Sequence, residues 1–288
     1  MSWEYEGLFD AIADGAADDL LADYWKSQPS AIRVGSMGYR TATIKAGPRL
    51  EAEVYPIFGR AEERAARAAK ANITPEKQQR LNEERARRHM IRIVDANFTE
   101  KDIHLTLTYP ADRMPEYSRA RKDIRNFLLK LKRIRERRGL PELKYIYTIE
   151  ENDDGRRRNI HVHMILNAGI DREELEAIWG KGYANADRLQ PTETGLERLA
   201  RYIVKQQKNR KKWAASRNLV QPKKHTSDSK FSNRKVKEIA QDFRAVAKEV
   251  MEKKYKGYTF VKCSVYYSDV LDGVYIRCVM RKWEELRQ

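Results

Sequence analysis

His161-Val162-His163 lies inside an otherwise apolar run, IHVHMIL (160–166). In a strand, alternate residues share a face, so both imidazoles point one way and Val162 the other. Two imidazoles about 6–7 Å apart along a strand can pinch one divalent metal. The pattern also suits a polar surface pair, or two rings satisfied by neighbours. Position favours the metal: the chain has five histidines, and the other three are scattered. A hard or borderline divalent ion also wants an oxygen ligand. Glu150 ends the run KYIYTIE (144–150), and Glu151 follows it. In the pleat, Glu150 shares a face with Thr148 and Ile146, while Glu151 points to the other side. Either could reach the histidines, depending on the register across the intervening turn. Glu150 is the preferred candidate.

Tyr202-Ile203-Val204-Lys205 is a second chemical pattern. On a helix, the i, i+3 spacing puts phenol and ammonium on one face, and Gln206 joins them at i+4. A tyrosine can form a covalent intermediate, but at its free pKa it is a poor nucleophile and needs activation. Lys205 could lower that barrier, or neutralise charge building on a phosphate. Tyr-x-x-Lys on a basic helix is common by chance, and a half-buried aromatic is the plain alternative. A third pattern, LTLTYP (105–110), reads by itself as a core strand stopped by Pro110.

The elements that would carry these residues follow from periodicity. IHLTLTY (103–109) has strand period and composition. Residues 117–138 form a basic amphipathic helix, with Ile124, Phe127, Leu128, Leu131 and Ile134 on one face and Gly139 and Pro141 closing it. KYIYTIE and IHVHMIL make a hairpin around the polar turn ENDDGRRRN. Short helices are expected at 171–179 and at 193–212, the latter increasingly basic. Upstream, residues 1–30 read as one or two short helices. GYRTATIKAGPRLEAEVYPIF (38–58) reads as a hairpin turning at Ala46-Gly47-Pro48. A helical region at 60–95 is interrupted by Asn72-Ile73-Thr74-Pro75, with Pro75 at a first helical position. Downstream, 214–234 reads as a polar, basic loop, 235–253 as one helix, and TFVKCSVYY (259–267) with GVYIRCVMR (273–281) as a second hairpin. Its two cysteines, Cys263 and Cys278, are placed nearly opposite one another as buried thiols.

Composition sets the partner class. The chain has 288 residues, with 58 Lys and Arg against 42 Asp and Glu, a net charge of +16. Residues 1–25 hold seven of the acids and no base, so the remainder carries 58 bases against 35 acids. Such an excess favours a polyanion, because Lys and Arg displace condensed counterions from phosphates. The acidic segment is expected to fold over the basic surface and limit nonspecific binding. Arg156, Arg157 and Arg158 sit in the turn beside the histidine strand. Lys208, Arg210, Lys211 and Lys212 follow the tyrosine, ending at Trp213. Basic residues with aromatics suit a single strand, through backbone attraction and base stacking. No apolar run approaches 18 residues, so no transmembrane helix or membrane partner is expected. The acidic N-terminus is unlike a secretory signal, and two cysteines exclude a disulfide framework, which points to the cytoplasm.

The order of the patterns is more specific than any of them alone. LTLTYP, then His-Val-His about fifty residues on, then Tyr-x-x-Lys in a helix resembles the HUH (His-hydrophobic-His) endonucleases of the rolling-circle replication initiator family. The resemblance is to the single-tyrosine type of bacterial phages, plasmids and integrated elements, since Gln206 stands where a two-tyrosine initiator has its second Tyr. It is specific over about 103–213. The hairpin around Glu51-Ala52-Glu53-Val54-Tyr55-Pro56, and Asn97-Phe98, extend it more loosely.

The resemblance implies an α+β fold: a central antiparallel sheet carrying the HUH motif, its LTLTYP and HVH strands adjacent, with flanking helices. N-terminal and C-terminal hairpin and helix extensions would be added to it. The stretches are an acidic segment (1–30), a hairpin and helical extension (31–96), the nicking domain (97–213), and a basic linker, helix and hairpin (214–288). His161, His163 and Glu150 would hold Mg²⁺ or Mn²⁺, Tyr202 would be the nucleophile, and Lys205 would position or polarise the phosphate. Arg156, Arg157, Arg158, Lys208, Lys211, Lys212 and Trp213 would meet single-stranded origin DNA. No Gly-x-x-x-x-Gly-Lys-Ser/Thr is visible, so a host helicase and polymerase are expected partners. The alternatives are an HUH transposase or relaxase, or a non-enzymatic basic nucleic-acid-binding regulator.

Overall fold

The computed structural model describes residues 38–57, 75–153, 158–203, 213–267 and 274–282. Expectations for residues 1–30, 60–74 and 204–212 fall outside them. In chain order the elements are β1 (Tyr39–Ala46), β2 (Arg49–Pro56), α1 (Pro75–Asn97), β3 (Ile103–Thr108), α2 (Tyr117–Arg137), β4 (Tyr145–Asp153), β5 (Arg158–Leu166), α3 (Arg172–Trp179), β6 (Ala184–Arg188), α4 (Glu197–Ile203), β7 (Ala214–Ala215), β8 (Lys223–Ser227), α5 (Asn233–Gln241), α6 (Ala245–Lys254), β9 (Tyr258–Tyr267) and β10 (Val274–Lys282). The class is α+β, as expected: two five-stranded sheets, antiparallel in every pairing, with helices against them. Among the described residues, no helix is long and apolar enough to cross a membrane.

The chain divides into two units, residues 90–221 and residues 1–89 with 222–288. In the first, the sheet runs β6-β3-β5-β4-β7, so the LTLTYP and HVH strands are neighbours. Strand β3 alternates buried and half-buried residues, as its IHLTLT sequence dictates. One face carries Leu105, Leu107, Ile149, Ile160, Val162 and Met164 against the apolar stripe of α2, from Ala120 through Ile124 and Phe127 to Leu131, and against Trp179 of α3. Each such fully buried side chain contributes about 1.5–3 kcal/mol. The opposite face has an apolar end, Ile146 and Ile165. It packs with Met90 to Val94 of α1, Phe98, and Ala200 and Ile203 of α4.

In the other unit, the sheet order is β8-β1-β2-β10-β9. The N-terminal hairpin, with its turn at Gly47 (φ 59°), and the C-terminal hairpin pair through β2 and β10 into this one sheet. Val236, Ile239, Ala247 and Met251 of α5 and α6 cover Leu50, Val54, Ile276 and Met280. Cys263 and Cys278 are cross-strand partners with free thiols, as the spacing predicted.

Three expectations need correction. Residues 214–234 are not all loop: β7 pairs with β4, and β8 (KKHTS) pairs with β1. Strand β8 is an edge strand whose side chains are exposed except for a half-buried Ser227, so it bears no apolar alternation to detect. The helix of 235–253 is two helices. Asp242 leaves helical geometry (φ −134°, ψ 85°), and its carboxylate accepts from the N–H groups of Arg244 and Ala245. Strand β6 (ANADR) had no strand signature, and only Ala186 within it is buried.

Candidate active site

Strand period places the chemistry on the α4 side of the β6-β3-β5-β4-β7 sheet. Since Ile160, Val162 and Met164 face the α2 core, His161 and His163 face the other way. The register sets His163 between Thr106 of β3 and Thr148 of β4, and His161 between Thr108 and Glu150. Glu150 therefore shares the histidine face. Glu151 pairs with Ile160, on the face turned away.

Tyr202 reaches the same point from α4. Leu196, just before the helix, donates its N–H to the buried Asp95 carboxylate of α1 at 3.1 Å. Ala200 and Ile203 bury in the cluster with Ile146 and Ile165. Tyr202 is left 45% exposed, its ring edge-on to His163 with centroids 4.7 Å apart. Its hydroxyl lies 3.2 Å from His163 Nε2. The same Nε2 lies 3.5 Å from Glu150 Oε2, and His163 Nδ1 lies 3.4 Å from Thr106 Oγ1. With a proton on Nδ1 donated to Thr106, Nε2 turns its lone pair toward the phenol and the carboxylate.

The electrostatics favour neutral rings. Burial lowers the His163 pKa below the ordinary imidazole value. His104 and His161 push the same way, and Glu150 opposes them. Burial also lowers His104, against the raising effect of Asp187. The Tyr202 phenol is raised, first by burial and then by the Glu150 carboxylate. Without added positive charge, this environment makes the phenol a poorer nucleophile than free tyrosine.

Two imidazoles and a carboxylate form a donor set suited to a borderline divalent ion. His163 and Glu150 already converge, whereas the His161 and His163 rings are 6.3 Å apart. Among the described residues, no three His, Cys, Asp or Glu side chains close on one point. The donor chemistry fits a metal, and two of the donors are within reach of one.

Of the remaining sequence-predicted residues, Lys205, Arg156, Arg157, Lys208, Lys211 and Lys212 lie outside the described residues. Arg158 is described only as the backbone that opens β5 opposite Asp153. Trp213 is half-buried beside the cluster that holds Ala200 and Ile203. Sequence reasoning missed two residues. His104 seemed scattered, yet it stacks on His163 with centroids 5.9 Å apart. Thr106 read as core, yet it contacts the His163 ring. Period two along β3 is the signal for both: with Leu105 and Leu107 in the core, His104 and Thr106 must face the histidines.

A family model for replication-associated proteins of the ORF2 type matches residues 102–208, from just before β3 to beyond α4. No curated protein matches the chain. No solved structure matches it either. Residues 102–208, which bring together Glu150, His161, His163 and Tyr202, are thus similar to the ORF2-type replication-associated proteins.

Proposed function

We propose that this chain is a rolling-circle replication initiator that nicks and rejoins single-stranded DNA, with Tyr202 as its nucleophile. The observation that carries the reading is the 3.2 Å approach of the Tyr202 hydroxyl to His163 Nε2, beside Glu150. The similarity of residues 102–208 to replication-associated proteins supports the biological role.

His161, His163 and Glu150 would hold a divalent ion, Mg²⁺ or Mn²⁺. When bound, such an ion withdraws charge from the non-bridging oxygens of a phosphodiester. His163 is kept neutral by burial and so is ready to donate a lone pair. Thr106 steadies its ring, and Asp95 fixes the start of the helix that carries the phenol. Tyr202 then attacks phosphorus in line. The P–Oη bond forms, the P–O3′ bond breaks, and the phenolic proton ends on the departing 3′ oxygen. The 5′-phosphotyrosine link keeps the ester for rejoining, and the free 3′-hydroxyl serves a polymerase as primer. Lys205, on the chain just past α4, is the residue to neutralise phosphate charge. A host helicase would open the duplex.

The test is a labelled single-stranded origin oligonucleotide mixed with protein and Mn²⁺ and run on a denaturing gel. A slow covalent band is expected that disappears with EDTA and with Tyr202→Phe. An adduct that survives Tyr202→Phe, or none on a full set of origin-derived oligonucleotides, refutes the assignment.

A further inference from the structure

On the face of the sheet turned away from His163, α2 and β4 bound a groove of about 790 Å³. One wall is a stripe on α2: Ser118, Arg121, Lys122, Arg125, Leu129 and Lys132. Steps of three and four residues keep them on one side of the helix, beside the apolar stripe that packs the core. All four cations are exposed, and Leu129 is 45% exposed between them. The opposite wall is β4, where Tyr145 and Tyr147 project two residues apart with ring centroids 6.1 Å apart and planes 30° from parallel. Arg217 closes that side as a fifth cation, and Glu142 is the only acid in the lining. None of the five cations has an ion-pair partner among the described residues.

Five unpaired cations facing two neighbouring aromatic rings match the chemistry of a nucleic acid single strand: phosphates along the basic wall, bases on the rings. From Ser118 to Lys132 the stripe spans about 21 Å at 1.5 Å per helical residue, room for about six stacked nucleotides. A smaller hollow of about 260 Å³ shares Arg121 and Tyr147 and ends at Trp213. Trp213 also packs with Ala200 and Ile203 of α4. A strand running along the groove toward Trp213 reaches the β7 edge of the sheet, bordering the cluster on which Tyr202's helix rests.

We propose that the α2–β4 groove is a binding site for single-stranded DNA, holding a segment that flanks the one presented to Tyr202. The choice of DNA rests on the nicking reading; the groove and its charge do not. Five phosphate contacts on a single strand give a slope of log K against log salt of about −3.5. Removing two should cut it by about 1.4, which at 0.1 M salt is about 25-fold in affinity. Arg121 and Arg125 are exposed on the helix, outside the histidine site, so Arg121→Gln with Arg125→Gln should fold normally.

The experiment measures fluorescence anisotropy of a labelled mixed-sequence 20-mer, single-stranded and as its duplex, over a salt series. The melting temperature confirms folding. Adduct formation is measured in parallel at saturating origin oligonucleotide. The expected result is single-strand affinity about 25-fold lower, a slope shallower by about 1.4, and an unchanged adduct rate at saturation. Unchanged single-strand affinity and slope, or a loss confined to the duplex, overturns the proposal. If the double variant loses affinity while the parent forms no adduct, the groove stands and the nicking reading falls. If adducts form while affinity is untouched, the groove falls and nicking stands.

Discussion

Gly182 has no side chain because there is no room for one, and replacing it should disturb the strand end nearest the histidines. A Cβ there would lie 2.4 Å from the Thr108 carbonyl oxygen, 2.9 Å from Tyr109 Cα and 3.0 Å from Pro110 Cδ. Unstrained contacts between carbon atoms lie near 3.5–4.0 Å, so the first overlap is about an ångström. Two of the three atoms are backbone and cannot swing away. Thr108 is also pinned: its carbonyl accepts from Trp179 Nε1 at 3.1 Å, and its N–H donates to Tyr183 O at 2.9 Å. Overpacking costs about 1–3 kcal/mol, and straining one of these hydrogen bonds adds about 1 kcal/mol. Gly182→Ala should therefore cost about 2–4 kcal/mol, which lowers the urea midpoint by about 1–2 M with the slope unchanged. Thr108 is the cross-strand partner of His161, so adduct formation should fall as well. Gly180→Ala is the control. Its φ of 56° makes a side chain unfavourable, but the nearest atom is a comfortable 3.6 Å away. That costs only about 1 kcal/mol. If Gly182→Ala is no more destabilising than Gly180→Ala, the steric argument is wrong.

Two further outcomes follow from buried groups. Asp95→Ala removes the acceptor of the Leu196 N–H and should cost about 1–3 kcal/mol, while Asp95→Asn, which keeps an oxygen there, should cost less. Urea unfolding ranks the two, and equal losses would show that this contact does not hold the start of α4. Burial raises the Cys278 thiol well above its ordinary pKa, so it stays protonated at neutral pH and deprotonates only far into alkaline solution. Mass spectrometry after iodoacetamide treatment of the folded protein at pH 7.5 should find Cys278 unmodified, and rapid alkylation there would contradict the packing.

How much of this was legible in the sequence depended on how much of each element is buried. Strands β3, β4 and β5 each bury at least one face in a core, so alternation revealed them, and alternation also fixed which residues accompany the histidines. The amphipathic stripe of α2 and the turn at Gly47 were equally plain. Strand β8 was invisible because its side chains are almost all exposed and only its backbone is paired. The break at Asp242 was hidden because Val236, Ile239, Ala247 and Met251 fit helical spacing well enough to suggest one helix. The pairing of β2 with β10 joins segments more than 200 residues apart in number, and no local pattern encodes such a contact. Within the site, Tyr202 and the histidine pair were visible as types and spacings. The choice between Glu150 and Glu151 needed the register across the β4–β5 turn. The closeness of His104 needed β3 to lie against β5.

Strand β4 ties the two halves of the reading together. Its odd-numbered residues, Tyr145 and Tyr147, face α2 and line the basic groove, with Ile149 in the core behind them. Its even-numbered residues, Ile146, Thr148 and Glu150, face α4 and the histidines. A slip of one residue in the pairing of β4 with β5 would exchange these sets, sending Glu150 into the α2 core and Tyr147 toward His163. The apolar residues of β4 hold the register against that slip. Ile146 is fully buried on one face and Ile149 nearly so on the other, and the exchange would move each into the wrong environment. At about 1.5–3 kcal/mol for each fully buried side chain, these two residues alone oppose the slip by several kcal/mol. The same apolar pair thus sets the carboxylate beside His163 and the aromatic wall beside the α2 cations, so a substitution that weakened the register would impair both sites at once.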